Sequence, residues 1–147
     1  MLCALSRPVA AHVGPSEKTN NRYYKLTPMS DRVRLAYTIF FGREPGLATR
    51  RRMDVNRNGV LSAQEIASYG QVIAKELFAS VSFQQAGQEA EIIWQDVDVG
   101  LERLDVVAEP FSVDLIATVC LDTQAVGHEH SLVFRDRLRL PRPGETE

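Results

Sequence analysis

Residues 53–66 read MDVNRNGVLSAQEI. Oxygen-bearing side chains fall at Asp54, Asn56, Asn58, Ser62 and Glu65, with Gly59 at the centre of the run. Alternate residues of a tight loop can aim at one point, and a glycine supplies the positive φ that such a turn needs. A hard divalent cation wants about six to eight oxygens at roughly 2.3 to 2.6 Å, which is what this spacing can deliver. The hydrophobic period is two upstream of Gly42 and about 3.6 after the run, so the stretch lies inside the helical part of the chain, between two helices.

Upstream, Val33, Leu35, Tyr37 and Ile39 alternate with Arg32, Arg34, Ala36 and Thr38, the pattern of a strand with one buried face. Pro28, Ser30 and Asp31 supply a turn before it, so residues 23–27 and 32–41 read as a hairpin. After Gly42, Pro45 sits where a first helical residue tolerates the loss of its N–H, which predicts a short helix over 45–53. Beyond the loop, Ile66, Tyr69, Ile73 and Leu77 recur at steps of three and four, and a second helix is expected over 62–79.

The rest of the chain returns to strands. Residues 81–83 and 91–94 are expected to flank a turn at Ala86-Gly87, with further strands through FSVDLIATVCLD and SLVFRDRLRL, the latter interrupted at Asp136. The expected class is α+β: an antiparallel sheet or small sandwich with a helix-loop-helix at 45–79 inserted after the first hairpin. Residues 1–20 are expected to be a tail or signal-peptide remnant, and 21–147 one domain.

Numbered from Asp54, the loop fills D-x-[DN]-x-[DN]-G-x5-E at every fixed position: Asp54, Asn56, Asn58, Gly59 and Glu65. It resembles an EF-hand calcium-binding loop. The resemblance implies Ca²⁺ held by the side chains of Asp54, Asn56 and Asn58, the backbone carbonyl of Val60, Ser62 through water, and both oxygens of Glu65. The competing reading is an Asx-rich turn in which Ser62 caps the second helix and Glu65 completes a capping box; the two are compatible. Only Asp54 and Glu65 among the side-chain ligands carry charge, while Arg50, Arg51, Arg52 and Arg57 lie close in sequence, so affinity is expected near the weak, extracellular-type end of the range. The arginine triplet reads most simply as solvated cations complementing a helix C-terminus, with an acidic docking partner as the alternative.

The formal net charge of −2 gives no global field for nucleic acid, and no apolar run approaches the roughly 18 to 20 residues of a membrane-spanning helix. Cys3 and Cys120 make no disulfide framework. Val9-Ala10-Ala11 resembles the small residues before a secretory cleavage point, which favours export to a periplasmic or extracellular setting. In layout, the AH start, the strand ending in RVRLAYTIFFGREPG, one such loop and the strands after it resemble the extracytoplasmic domains of some bacterial nickel/cobalt-permease-type proteins. That resemblance implies an accessory domain outside the cytoplasm, in a family associated with metal transport.

His128 and His130 in GHEH would share a face of a strand and, with His12, are all the histidines; two imidazoles complete no usual ligand set, and a polar turn is the simpler reading. The chain has no glycine-rich phosphate loop, no G-x-S-x-G and no H-E-x-x-H. The carboxylates of DVDVGLERLD, residues 96–105, are the remaining acid/base candidates. The expectation is therefore a non-enzymatic, calcium-stabilised accessory or interaction module, open to a protein partner. Alternatives are a calcium-independent structural domain, a calcium-responsive sensor and a metal-dependent hydrolase. A single loop and only three methionines argue against the sensor.

Overall fold

The computed structural model describes residues 18–122 and 131–140. His12, Cys3, the cleavage-like Val9-Ala10-Ala11 and the GHEH histidines His128 and His130 lie outside these residues. The described residues are α+β, with two antiparallel sheets and two helices.

The first strands form the expected hairpin, β1 (Asn20–Pro28) and β2 (Arg32–Phe41). Alternation in β2 buries Val33, Leu35, Tyr37, Ile39 and Phe41, each at most 5% exposed. Strand β6 (Phe111–Cys120) answers it with Phe111, Val113, Leu115, Ala117 and Val119. The register sets Leu35 opposite Ala117, Tyr37 opposite Leu115, and Phe41 opposite Phe111, whose rings stack at 4.6 Å. Fully burying such side chains stabilises by about 1.5 to 3 kcal/mol each, so this pair of strands anchors the core. Strand β5 (Ile92–Gly100) pairs with the other side of β6, giving the order β1-β2-β6-β5.

Between β2 and the next strand in sequence come α1 (Arg43–Met53) and α2 (Ala63–Ser80). Pro45 is the third residue of α1, one turn in, where the ladder asks nothing of its nitrogen. Helix α2 starts at the Ser62 capping box and buries Gly70, Ile73, Ala74 and Leu77. It packs on β5: a Cβ at Gly70 would lie 3.2 Å from Val99 and 3.5 Å from Val97. Phe78 stacks on Trp94 at 4.4 Å. The helix ends where β-branched Val81 takes up an extended conformation and the chain passes straight into β3 (Val81–Gln85).

The expected pairing of 81–83 with 91–94 is not the one formed. Ala86 and Gly87, with φ of 50° and 84°, do turn the chain, but β3 pairs with the two-residue β4 (Gln88–Glu89), and β5 departs to the other sheet. The sequence offers β5 a longer apolar partner in β6 than β3 could provide. On its other side β3 pairs with β7 (Leu132–Asp136), completing the order β4-β3-β7. Residues 96–100, within the stretch that holds the acid/base candidates, are the second half of β5, after an irregularity between Trp94 and Asp96.

The two sheets share one core, to which β3 contributes Val81 and Phe83. Tyr24 meets Phe134 at 4.8 Å, and the Tyr37 hydroxyl donates to Asp136 Oδ2 at 2.7 Å. Gln85 is buried in β3 and exchanges two hydrogen bonds with the backbone of Asp122, just past β6.

One glycine of α1 is held by contact alone. A Cβ on Gly46 would stand 2.8 Å from the backbone oxygen of Glu109, which cannot rotate away. Gly46→Ala is expected to destabilise by about 1 to 2 kcal/mol, the overpacking cost outweighing the gain of up to about 1 kcal/mol in helix propensity. A denaturant midpoint at or above that of the wild type would contradict this close approach.

Candidate metal centre

The loop between α1 and α2 turns its oxygens inward through its own amides. Asp54, 8% exposed, accepts from the N–H of Asn58 at 3.1 Å through Oδ1 and from that of Gly59 at 2.9 Å through Oδ2. Asn56 Oδ1 accepts from Asn58 N–H at 2.9 Å, and Asn58 Oδ1 from Val60 N–H at 2.8 Å. Arg57 and Gly59 take positive φ, 58° and 81°, which curls the backbone so that successive N–H groups point inside. No atom lies within 4 Å of a Cβ built at Gly59, so the requirement for glycine there is conformational, not steric.

Glu65, in the first turn of α2, closes the ring. Its Oε1 accepts from Val55 N–H at 3.0 Å and Asn56 N–H at 3.3 Å, and its Oε2 from Ser62 N–H at 2.9 Å and Ser62 Oγ at 2.7 Å. The Ser62 amide and hydroxyl, helped by the Asn56 and Val55 amides, hold this carboxyl below its ordinary pKa, because each bond favours the charged form. The capping box and the loop closure are thus the same carboxylate. An ionised carboxylate has about four lone-pair sites. The two amides on Asp54 leave it free acceptor capacity, whereas the four donors on Glu65 fill it, so Glu65 would exchange some of them for a cation.

Asp54, Asn56, Asn58, Val60, Ser62 and Glu65 therefore all belong to one closed loop, in which the side-chain oxygens of Asp54, Asn56, Asn58 and Glu65 accept from its own amides. Among the described residues no three His, Cys, Asp or Glu side chains gather as a metal-binding group. The loop has two carboxylates, and any further oxygens come from amides, the Ser62 hydroxyl and the backbone.

Three features were not legible in the sequence. The arginine triplet is not uniformly solvated: Arg51 and Arg52 are exposed, but Arg50 is 0% exposed. Its guanidinium lies 5.5 Å from the centre of the Phe111 ring, and Nη1 donates to the backbone oxygens of Arg103 at 2.6 Å and Asp105 at 3.1 Å. Burial pulls Arg50 below its usual pKa, against the opposing fields of Glu109 and Asp105. Second, the loop pairs with a distant segment: Val60 and Asp105 form an antiparallel bridge, with Leu61 N–H donating to Leu104 O at 2.8 Å and Val106 N–H to Gly59 O at 3.0 Å. Leu61, 1% exposed, drops its side chain into the core beneath.

Third, α2 is not wholly committed to the sheet. Beside the loop a groove of about 900 Å³ runs between the helices, lined by Met53, Tyr69, Val72, Ile73 and Leu140 among others, with Val72 55% exposed.

The acidic residues of β5 assemble no such site. Asp96 and Asp98 are exposed, and Asp105 is taken up by Arg103 at 2.7 Å. Asp98 stands opposite Asp114, on the face of β6 away from the core, where Asp114 accepts from Thr38 Oγ1 at 2.5 Å and Ser112 Oγ at 2.8 Å. No helix among the described residues is long and apolar enough to cross a membrane. No family model, curated protein or solved structure matches the chain.

Proposed function

We propose that the protein is a calcium-binding accessory or interaction module, and that residues 54–65 are an EF-hand-type loop in which Ca²⁺ is structural. The observation that carries this reading is the closed ring of inward oxygens from Asp54, Asn56, Asn58 and Glu65, at a spacing that fills every fixed position of the motif. The backbone carbonyl of Val60 and a water held by Ser62 complete the proposed ligand set. Calcium would fix the angle between α1 and α2, and through it the seating of Ile73 and Leu77 in the core. An exported setting suits a low-charge site, because extracellular calcium is abundant enough for dissociation constants of about 10⁻⁴ to 10⁻³ M. The whole-chain layout supports the same setting, as does the cleavage-like Val9-Ala10-Ala11.

Titration calorimetry with CaCl₂ tests the reading: one site in that weak range is expected, with Mg²⁺ binding less well because it demands tighter octahedral geometry. Absence of calcium heat up to about ten times the upper limit of that range would refute it.

A second reading, a calcium-responsive sensor, draws on the groove beside the loop, since a sensor needs an apolar surface to open. The groove already stands open, so a structural ion should leave it unchanged. Fluorescence of a hydrophobic dye on the folded protein is expected to fall or stay level as calcium is added. A sharp rise, with a native far-ultraviolet spectrum, selects the sensor.

A further inference from the structure

We infer that residues 103–106, braced by Arg50, act as a positioning segment that aims the Val60 carbonyl at the calcium site. The inference rests on the calcium reading above and adds to it a residue outside the loop's ligand set. In an antiparallel bridge of the kind formed by Val60 and Asp105, the neighbours of each residue make the cross-strand bonds. Here Gly59 O and Leu61 N–H face residues 106 and 104. A trans peptide sets its C=O and N–H in opposite directions. With Leu61 N–H directed at Leu104 O, the carbonyl of the same peptide unit, that of Val60, points the other way, into the loop. The Val60 N–H confirms the sense, for it donates to Asn58 Oδ1 inside the ring at 2.8 Å. The Val60 side chain is 46% exposed, so the residue's contribution lies in its backbone.

The segment makes only an isolated bridge and needs support. Arg50 gives it, because Nη1 donates to the carbonyls of both Arg103 and Asp105, the residues on either side of the Leu104 acceptor. Burying a guanidinium is costly, and here Nε and Nη2 find no hydrogen-bond partner among the described residues. A residue kept for stability alone would be better replaced by an apolar side chain of similar length. What this guanidinium supplies is a fixed position for the two carbonyls that flank Leu104 O, which fits a role in orienting a ligand.

The test is a calcium titration of the full chain, followed by amide ¹H–¹⁵N spectra, with Arg50→Met, Arg50→Lys and Val106→Pro beside the wild type. Coordination polarises a peptide carbonyl and moves the nitrogen bonded to it, so the Leu61 nitrogen reports on Val60. The Gly59 proton, which is donated to Asp54, reports on the other side of the ring. In the wild type both are expected to move with calcium. Arg50→Met is expected to weaken calcium binding by about 10- to 100-fold, the scale found for groups that orient metal ligands. Its melting temperature in chelator should match or exceed the wild type, since an incompletely paired buried charge has gone. Arg50→Lys, which keeps a donor, is expected to recover part of the affinity. Val106→Pro removes the N–H that holds Gly59 O and sets the ring Cδ in its place, so it breaks this bridge from the other side; it is expected to weaken binding similarly, and carries the test if Arg50→Met fails to fold. Wild-type affinity in the folded variants, or a Gly59 proton that moves while the Leu61 nitrogen stays fixed, overturns the positioning role of 103–106 and leaves the calcium reading standing. A wild-type spectrum that calcium does not change overturns the calcium reading, and this inference with it.

Discussion

Glu65→Gln is expected to remove most of the rise in melting temperature that calcium gives the wild type. A ligand that binds only the folded chain stabilises it by mass action, which at about 100 times the dissociation constant amounts to about 2.7 kcal/mol. For a chain of this size that corresponds to roughly 5 to 10 °C. Glutamine keeps one oxygen for the Ser62 amide and can still serve in a capping box, so the calcium-free fold should survive the change. What it loses is the negative charge and the second oxygen on which a bidentate ligand depends. Equal melting curves in millimolar Ca²⁺ and in chelator for the wild type would sink the calcium reading. An undiminished calcium gain in Glu65→Gln would instead remove Glu65 from the ligand set.

The same substitution makes a pH prediction in chelator. The Glu65 carboxyl is held below its ordinary value in the folded chain, chiefly by the Ser62 amide and hydroxyl. A group with a depressed folded pKa contributes stability that is present above its unfolded pKa and is lost as pH falls through the folded one. The stability difference between wild type and Glu65→Gln should therefore be constant from neutral pH down to the ordinary glutamate range, and shrink below it. A difference that grows in acid contradicts the hydrogen bonds drawn to this carboxylate.

How much of this was readable in advance follows from the range of each interaction. The β1–β2 hairpin, the start of α2 at Ser62 and the closed polar loop are set by neighbours a few residues apart, and periodicity and spacing expose them. The departure of β5 to a different sheet depends on competition between β3 and β6 for a partner, which no local pattern encodes. Arg50 shows the limit most clearly: it is one of three adjacent arginines, and nothing in RRR distinguishes the one that folding buries over Phe111. Leu104 and Val106 carry no sequence mark either, because they engage the loop through backbone atoms alone.

Asp136→Ala should be among the most destabilising substitutions that leave the apolar core intact. Asp136 ends β7 and reaches across to the other sheet, where its Oδ2 accepts from the Tyr37 hydroxyl at 2.7 Å and from Arg22 Nη1 at 3.0 Å. Its Oδ1 accepts from Leu138 N–H at 2.9 Å, and the same Arg22 nitrogen donates to Leu138 O at 2.7 Å. Tyr37 is 0% exposed, and burial together with the adjacent carboxylate raises its pKa, so the hydroxyl remains a donor at all ordinary pH. Alanine leaves that donor inside the protein without its acceptor, and removes the charge that holds Arg22. A buried donor left unpaired costs about 1 to 3 kcal/mol, and the lost charge-assisted bond adds to it. The expected total is about 3 kcal/mol, or a fall of roughly 6 to 12 °C in melting temperature. Tyr37→Phe removes the donor together with its need, and should cost only about 1 kcal/mol. In the double variant the two effects should fall short of additivity by about 1 kcal/mol or more, since both changes break one hydrogen bond. Strict additivity would mean that Tyr37 and Asp136 do not meet in solution, and the link between the two sheets would have to lie elsewhere in the core.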